Sequence, residues 1–121
     1  MSERDIYQDI KNCCISNDII RLRKILKSYQ GNLDLIKISK FNNQRIYREC
    51  ICYLWNYQKK CGNTGESFDD KNSKDLIVQL INLKDINSIK LLKTKYPKIK
   101  LNKYFPYVCF DIKLIQQFLK I

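Results

Sequence analysis

The chain has 121 residues, of which 45% are hydrophobic and 29% charged, enough for one domain with a single core. Histidine is absent, which excludes a Ser-His-Asp triad, a Cys-His pair and any zinc site that uses histidine. The net charge of +11 favours an anionic partner: a nucleic acid, an acidic membrane surface or an acidic protein face.

The composition also favours an all-α protein in a reducing compartment. Three glycines and two prolines are fewer turn residues than a β-sandwich needs. No apolar run approaches the length of about 18 residues that spans a membrane, and no apolar segment follows a basic start. We therefore expect an intracellular protein, cytoplasmic or nuclear, without membrane insertion. Six cysteines without a Cys-x-x-Cys pair are interpreted as mostly small buried hydrophobes, with disulfides or a four-cysteine zinc site as alternatives.

Apolar residues at helical spacing predict two helices at the start of the chain. The first covers residues 5–16, and the second begins after the capping residue Asp18 and ends near Tyr29. Gly31 is expected to end the second helix in the left-handed conformation. Residues 33–40 fit either a strand-like turn or a further helical turn.

A third helix is predicted over residues 44–60, where the apolar positions extend past a single stripe. Tyr53 and Trp55 widen this face. Such a helix is either covered on two sides or exposes an aromatic interface. The sequence leaves open whether the two rings belong to the core or to a contact surface.

A polar loop and two helices are predicted next. Residues 61–73 hold two of the three glycines and predict the loop, and residues 74–83 predict an amphipathic helix. Asp85 caps the following helix, which Pro97 stops because the residue before proline is biased out of the helical region.

The C-terminal part predicts two shorter helical pieces within the same single domain, residues 1–121. After an extended piece at residues 98–101, residues 102–110 predict a helix in which Pro106 fits only in the first turn. Asp111 caps a last helix that runs to residue 121.

One helical face occurs three times in the chain. An Asp-Ile pair is followed by apolar residues, which in the first and third copies lie one, four, seven and eight positions after the Asp. In the second copy the final doublet comes one residue early. The copies begin at Asp18, Asp85 and Asp111. The first two are 67 residues apart, close to twice the period of about 33 residues found in helical repeat proteins.

The residues ahead of the first two copies extend the pattern. Asp18 follows Ile10, Cys13, Cys14 and Asn17, and Asp85 follows Ile77, Leu80, Ile81 and Lys84. This resembles a divergent ankyrin repeat, in which an L-x-x-A-A first helix precedes a G-[HDN]-L-x-x-V-x-x-L-L second helix. The stretch between these copies must then hold a degenerate repeat built on residues 46–57.

The resemblance implies stacked antiparallel helical hairpins in three to four repeats, which bind another protein through their turn tips and inner helices. Each hairpin then exposes an apolar face that only the next hairpin covers. The alternative is a compact helical bundle whose amphipathic helices share this spacing by coincidence.

Two basic stretches and two aromatic residues are the binding candidates. Lysines and arginines can neutralise phosphates or carboxylates, and tyrosines can stack on bases. The other interpretation is a solvated face whose apolar neighbours fill the core. The candidates are Arg21, Arg23, Lys24, Lys27, Tyr53, Trp55, Lys93, Lys95, Tyr96, Lys98, Lys100 and Lys103.

The favoured function is a non-enzymatic protein–protein interaction module whose basic side seeks an acidic partner. Abundant Ile, Lys and Asn without alanine are typical of an AT-rich genome, so we expect a viral protein that acts on a host factor. The alternatives are a small basic helical nucleic-acid-binding protein and a viral helical bundle of the apoptosis-regulating or death-fold kind. We predict no catalytic residue, no metal site and no cofactor, and the oligomeric state stays open.

Overall fold

The computed structural model describes residues 5–62, 70–108 and 111–120, and these residues are all-helical, without a strand. The all-α prediction is confirmed. None of the described helices is long and apolar enough to cross a membrane. The elements are α1 (Ile6–Ser16), α2 (Ile19–Ser28), α3 (Leu35–Ser39), α4 (Gln44–Lys60), α5 (Asp70–Asn82), α6 (Ile86–Lys95), a 3₁₀ helix (Leu101–Tyr107) and α7 (Ile112–Leu119).

Side-chain caps start most of these helices. The predicted caps Asp18, Asp85 and Asp111 each accept a hydrogen bond from a backbone N–H of the helix that follows, which confirms them. Asp34 caps α3 and Asn43 caps α4 in the same way. These carboxylate and amide oxygens satisfy N–H groups that have no partner within the helix.

A left-handed residue followed by a cap joins the helices of three successive pairs. Asn17, Asn42 and Lys84 have φ of 52°, 59° and 57°, and a capping residue follows each of them. After α1 and α5 the left-handed residue ends the helix, because the N–H of the following cap donates to the carbonyl five residues earlier. Helix α3 ends earlier, at Ser39, so Asn42 lies within a longer connection. The left-handed residue before a cap therefore recurs, although the connections differ in length.

The middle pair, α3 and α4, shares part of the sequence pattern of the first two copies. Leu35, Ile38 and Ser39 lie eight, five and four residues before Asn43, the spacing that also precedes Asp18 and Asp85. Its second helix keeps three positions of the pattern, all buried: Tyr47, Cys50 and Ile51. Only the Asp-Ile start is missing, since Asn43-Gln44 replaces it.

The helices pack in two rows. The first helices of the pairs form one row, in which α1 contacts α3, α3 contacts α5, and α5 contacts the 3₁₀ helix. The second helices form the other row, in which α2 contacts α4, α4 contacts α6, and α6 contacts α7. The main contacts of the described residues therefore lie within a pair or between consecutive pairs.

Helices α2, α4 and α6 run in the same direction. The contacts that join α2 to α4 are Arg23–Glu49 and Tyr29–Tyr53. The contacts that join α4 to α6 are Arg48–Asp85 and Trp55–Lys95. In both cases the residue numbers rise together along the two helices, as they do when one unit is repeated by translation.

Several boundaries differ from the predictions. Of the two alternatives for residues 33–40, the structure has the helical one, α3. Helix α5 begins at Asp70, so the predicted loop at residues 61–73 is too long; residues 70–73 contain no apolar side chain that could have revealed the first turn. Residues 63–69 lie outside the described residues.

Two predictions about backbone-breaking residues were wrong. Pro106 lies inside the 3₁₀ helix rather than in a first turn; such a short, loosely bonded helix loses little from the missing N–H. Gly31 does not adopt a positive φ. A Cβ there would lie 2.7 Å from the Tyr29 ring, so the close approach of that ring explains the glycine.

The core is continuous along the two rows. Tyr96 and residues such as Leu22, Ile51, Leu80 and Leu92 are nearly inaccessible to solvent. Cys13, Cys14 and Cys50 are free and buried, in the role predicted for them. Cys52 is half-buried and Cys61 is exposed, and Cys109 lies outside the described residues.

Candidate binding face

Helices α2 and α4 enclose a groove of about 600 Å³ on the surface of the protein. We call it the tyrosine groove. Its volume lies within the range of about 300 to 1,000 Å³ that is usual for ligand sites. The lining residues are Arg23, Leu26, Lys27, Tyr29, Gln30, Glu49, Cys52, Tyr53, Asn56, Tyr57, Lys60 and Cys61.

A row of three tyrosines forms one side of the groove. The Tyr53 ring lies between Tyr29 and Tyr57, and both pairs of ring centroids are 6.2 Å apart. The planes of Tyr53 and Tyr57 differ by only 11°, and at a centroid separation of 6.2 Å the two rings are nearly parallel but displaced. The three rings therefore form one aromatic row along the groove.

The Tyr53 hydroxyl is fixed by the segment that follows α2. Its oxygen lies 2.6 Å from the Tyr29 carbonyl oxygen and 2.9 Å from the Gly31 carbonyl oxygen, and it accepts a hydrogen bond from the Gly31 N–H at 3.3 Å. The Tyr29 hydroxyl in turn donates to the Asn32 carbonyl at 2.9 Å. These hydrogen bonds hold the groove wall in one conformation before any partner binds.

The tyrosines stay uncharged at neutral pH. Burial raises the pKa of Tyr53, and a hydrogen bond with Cys61 raises the pKa of Tyr57. Neither phenol contributes a negative charge to the groove.

The charge of the groove is positive. Its one carboxylate, Glu49, is paired with Arg23 at 2.8 Å between Oε1 and Nη2. Lys27 and Lys60 lie on opposite walls and have no ion-pair partner among the residues that the structure describes. Two ammonium groups are therefore available to an anionic ligand.

Trp55 lies on α4, on the flank that faces α6. The Lys95 Nζ of α6 lies 4.4 Å from the centroid of its ring, and the Lys59 Nζ lies 4.9 Å from it. Both distances fit a cation–π interaction. We call this group the Trp55 clasp, and we call the groove and the clasp together the outer face.

The outer face brings together five of the predicted binding residues. Arg23, Lys27 and Tyr53 lie in the groove, and Trp55 and Lys95 lie in the clasp. Both parts are joined by α4, which carries Tyr53 and Trp55. Tyr53 and Trp55 are therefore neither fully buried nor fully exposed: both rings are half-buried at the surface.

Two further predicted residues have structural contacts instead. Tyr96 is 1% exposed, and its hydroxyl donates to Gln58 Oε1 at 2.6 Å in the interior. The Lys93 ammonium donates to the carbonyls of Pro97 at 2.5 Å and Ile99 at 2.7 Å, which holds the turn after α6. A tyrosine as buried as Tyr96 offers no ring face to a nucleic-acid base.

The remaining predicted residues are exposed but lie apart from the groove lining and from the clasp. Arg21 and Lys24 are on α2, and Lys98, Lys100 and Lys103 are on the segment after α6 and on the 3₁₀ helix. Whether they bind a partner stays a prediction.

Sequence reasoning missed several residues of the outer face, namely Tyr29, Glu49, Tyr57, Lys59 and Lys60. The spacing of Tyr53 and Tyr57, one helical turn apart, was a usable signal for the tyrosine row. The stack expected from the resemblance places α2 beside α4, but the sequence does not indicate which side chains line the space between the two helices.

The described part of the chain has no cluster of three or more potential metal ligands. Comparisons with protein-family models, with curated proteins and with solved structures give no match for this chain. The geometry of the outer face is therefore the basis for a proposed function.

Proposed function

We propose that the chain is a divergent ankyrin-like stack of four helical units that binds a partner protein with an acidic surface. The two rows of helices, the shared direction of α2, α4 and α6, and the left-handed residue that recurs before a cap, at Asn17, Asn42 and Lys84, support the stack. A compact bundle or death-fold arrangement does not require any of these three regularities.

The observation that carries the binding role is the outer face itself. Half-buried aromatic rings stand beside at least four cations, Lys27, Lys59, Lys60 and Lys95, on one side of the molecule. Aromatic residues are enriched at protein interfaces, and clustered positive charge attracts acidic partners. The proposed site differs from the turn tips and inner helices that the family resemblance implies, since it lies on the second-helix row.

We further propose an intracellular setting, in which the protein acts on a factor of a host cell infected by a virus. The free thiols Cys13, Cys14 and Cys50 support a reducing compartment. The composition, rich in Ile, Lys and Asn and devoid of alanine, supports an AT-rich source such as a large DNA virus.

Affinity capture from a cell lysate, repeated at several salt concentrations, tests the binding role. The variant Lys27→Glu/Lys60→Glu/Lys95→Glu removes three cations of the outer face. A matched control, Lys11→Glu/Lys113→Glu/Lys120→Glu, changes the net charge equally at exposed sites elsewhere. We expect wild type and control to retain an acidic protein that the face variant loses. Capture that is the same for all three proteins would contradict the proposal.

Nucleic-acid binding is the second candidate, and the exposed Lys98, Lys100 and Lys103 favour it. Tyr96 and Tyr104, which could have stacked on bases, are buried at 1% and 6% exposure. Phe105 and Tyr107 of the 3₁₀ helix are exposed at 37% and 44%, so this candidate rests on phosphate contacts with these two rings beside them, and its affinity would fall steeply with added salt. Indifference to single-stranded and double-stranded DNA or RNA at moderate salt would remove it.

A further inference from the structure

We propose that the tyrosine groove binds an extended acidic peptide segment in which two carboxylates flank a pair of apolar residues. The inference rests on the proposed function and specifies the partner for one part of the outer face. Its structural basis is the spacing of Lys27 and Lys60, which have no ion-pair partner among the described residues, along a groove whose middle is apolar and uncharged.

The position of the lysines follows from the contacts between α2 and α4. Lys27 lies between Arg23 and Tyr29 on α2, and these two residues are level with Glu49 and Tyr53 on α4. Lys27 lies two residues before Tyr29, and Lys60 lies seven residues beyond Tyr53, so nine residues, or about 13 Å at the α-helical rise, separate the two lysines along the axes. The two ammonium groups therefore stand on opposite walls and at different levels of the groove.

An extended peptide fits this spacing. It advances about 3.3 Å per residue, so two acidic residues that are three positions apart are separated by about 10 Å, and the flexible lysine side chains span the remaining distance of about 3 Å. Side chains of successive residues point to opposite sides of an extended chain, so one of the two residues between the carboxylates would face the Cys52 side chain, Tyr53 and Tyr57. The side-chain amides of Gln30 and Asn56 also line the groove and can bond a peptide backbone.

The geometry favours a peptide over a single-stranded nucleic acid. Base stacking on this row would need space beside a ring face, and the 6.2 Å spacing of Tyr53 and Tyr57 leaves no room for a base between the two rings. A continuous phosphate backbone also carries one negative charge per nucleotide, whereas Lys27 and Lys60 are two separate positive charges on opposite walls of the groove. An acidic peptide can place uncharged residues between its two carboxylates, whereas a nucleic acid cannot.

Preorganisation supports the same conclusion. The Tyr53 hydroxyl is hydrogen-bonded to the backbone at Tyr29 and Gly31, so the wall does not have to become ordered when a peptide binds. A preformed site avoids part of the entropic cost of binding, which matters for a short segment with few contacts.

The test is a fluorescence-anisotropy titration of the full chain with four labelled probes. The first is a short peptide with the core Glu-Leu-Leu-Glu; the second replaces both Leu by Gly, and the third replaces both Glu by Gln. The fourth is a single-stranded oligothymidylate. We expect saturable binding of the first peptide, at least tenfold weaker binding of the second and third, and weakening of the first by salt.

Two protein variants locate the binding. Lys27→Glu/Lys60→Glu should weaken the first peptide at least tenfold, and the charge-matched control Lys11→Glu/Lys120→Glu should leave it unchanged. Circular dichroism confirms that both variants are folded. Equal affinity of the two variants, no saturation by the first peptide, or tighter binding of the oligothymidylate would overturn the proposal.

Capture by further variants distinguishes a failure of the groove proposal from a failure of the proposed function. An acidic partner that is captured from lysate by Lys27→Glu/Lys60→Glu but lost with Lys59→Glu/Lys95→Glu binds at the Trp55 clasp. That result would overturn the groove proposal and support the function. If neither wild type nor the charge-matched control captures an acidic protein, the function itself fails, whatever the peptides do.

Discussion

Helix α4 has two flanks that its neighbours cover to different degrees. On the α6 flank the contact is closed: Tyr96 reaches Gln58 in the interior, and Asp85, which is 3% exposed, pairs with Arg48. On the α2 flank the two helices separate into the tyrosine groove. The comparison teaches that α4 stabilises the helical rows through buried contacts on its α6 flank, where the Trp55 clasp stays at the surface, and opens into a groove on its α2 flank.

The two flanks differ in the direction of their tyrosine hydroxyl groups. The Tyr96 hydroxyl is directed into the core, where a buried hydroxyl needs a hydrogen-bond partner, here Gln58. The Tyr53 hydroxyl is directed toward the backbone after α2, so its ring stays at the surface. Substitutions of buried residues on the closed flank should therefore change stability, and substitutions in the groove or in the Trp55 clasp should change binding.

The largest effect is expected from Tyr96→Ala. This side chain is 1% exposed, and its removal leaves a large cavity that should lower the free energy of unfolding by about 3–5 kcal/mol. Tyr57→Ala, on the open flank, should cost less than about 1 kcal/mol. Urea denaturation followed by the fluorescence of Trp55 measures both. Equal losses for the two variants would contradict the distinction between the flanks.

Asp85→Ala should have the next largest effect. Asp85 accepts hydrogen bonds from the Ser88 N–H at 3.2 Å and the Ser88 hydroxyl at 2.6 Å, and its Oδ1 lies 3.7 Å from Arg48. Loss of the cap and of a buried partner should cost about 2–3 kcal/mol. The same change at the more exposed cap, Asp18→Ala, should cost about 1 kcal/mol. A larger loss at Asp18 would show that the α6 flank is not the more stabilising one.

Removing single hydroxyl groups should have a smaller effect, with a contrast between two buried tyrosines. Tyr96→Phe loses the 2.6 Å hydrogen bond to Gln58 and should cost about 1–2 kcal/mol. The hydroxyl of Tyr47, also on α4, is buried without a hydrogen-bond partner among the described residues, so Tyr47→Phe should be neutral to within about 0.5 kcal/mol or stabilising. Thermal unfolding of the two variants checks this contrast, and a costlier Tyr47→Phe would refute it.

The smallest effect should appear as a dependence on alkaline pH. Burial raises the pKa of Cys14 from its ordinary value of 9.0 to about 11. The unfolded chain therefore loses this proton first, and the contribution to stability, complete below pH 9.0, is lost as the pH rises toward 11. Urea denaturation under reducing conditions across this range should show a shallower slope for Cys14→Ala than for wild type. Identical slopes would mean that the thiol is not buried.

Much of the fold was predictable because local chemistry determines it. The caps Asp18, Asp85 and Asp111 begin helices as predicted, since the capping bonds involve residues within three positions of one another. The middle repeat was recognisable only in part. Gln44 replaces the isoleucine after the cap, and that position is exposed, so the stack tolerates the change without loss of core.

The candidate site was less predictable, because it depends on contacts between distant residues. Lys95 and Trp55 were both predicted from local composition, but nothing in their sequence positions indicated that they touch. Tyr96 follows Lys95 directly and was assigned to the same basic surface; the end of α6 turns its ring into the core. Because α6 ends at Lys95, helical periodicity no longer predicts where the next side chain points, and the two neighbouring residues face different environments.

Lysine footprinting of the complex with a captured acidic partner tests the central claim most directly. Each lysine is acetylated in the free and bound protein, and its reactivity is compared by mass spectrometry. We predict that Lys27, Lys59, Lys60 and Lys95 lose reactivity on binding, while Lys11, Lys113 and Lys120 keep theirs. Protection confined to Lys98, Lys100 and Lys103, with the outer face still reactive, would contradict the account.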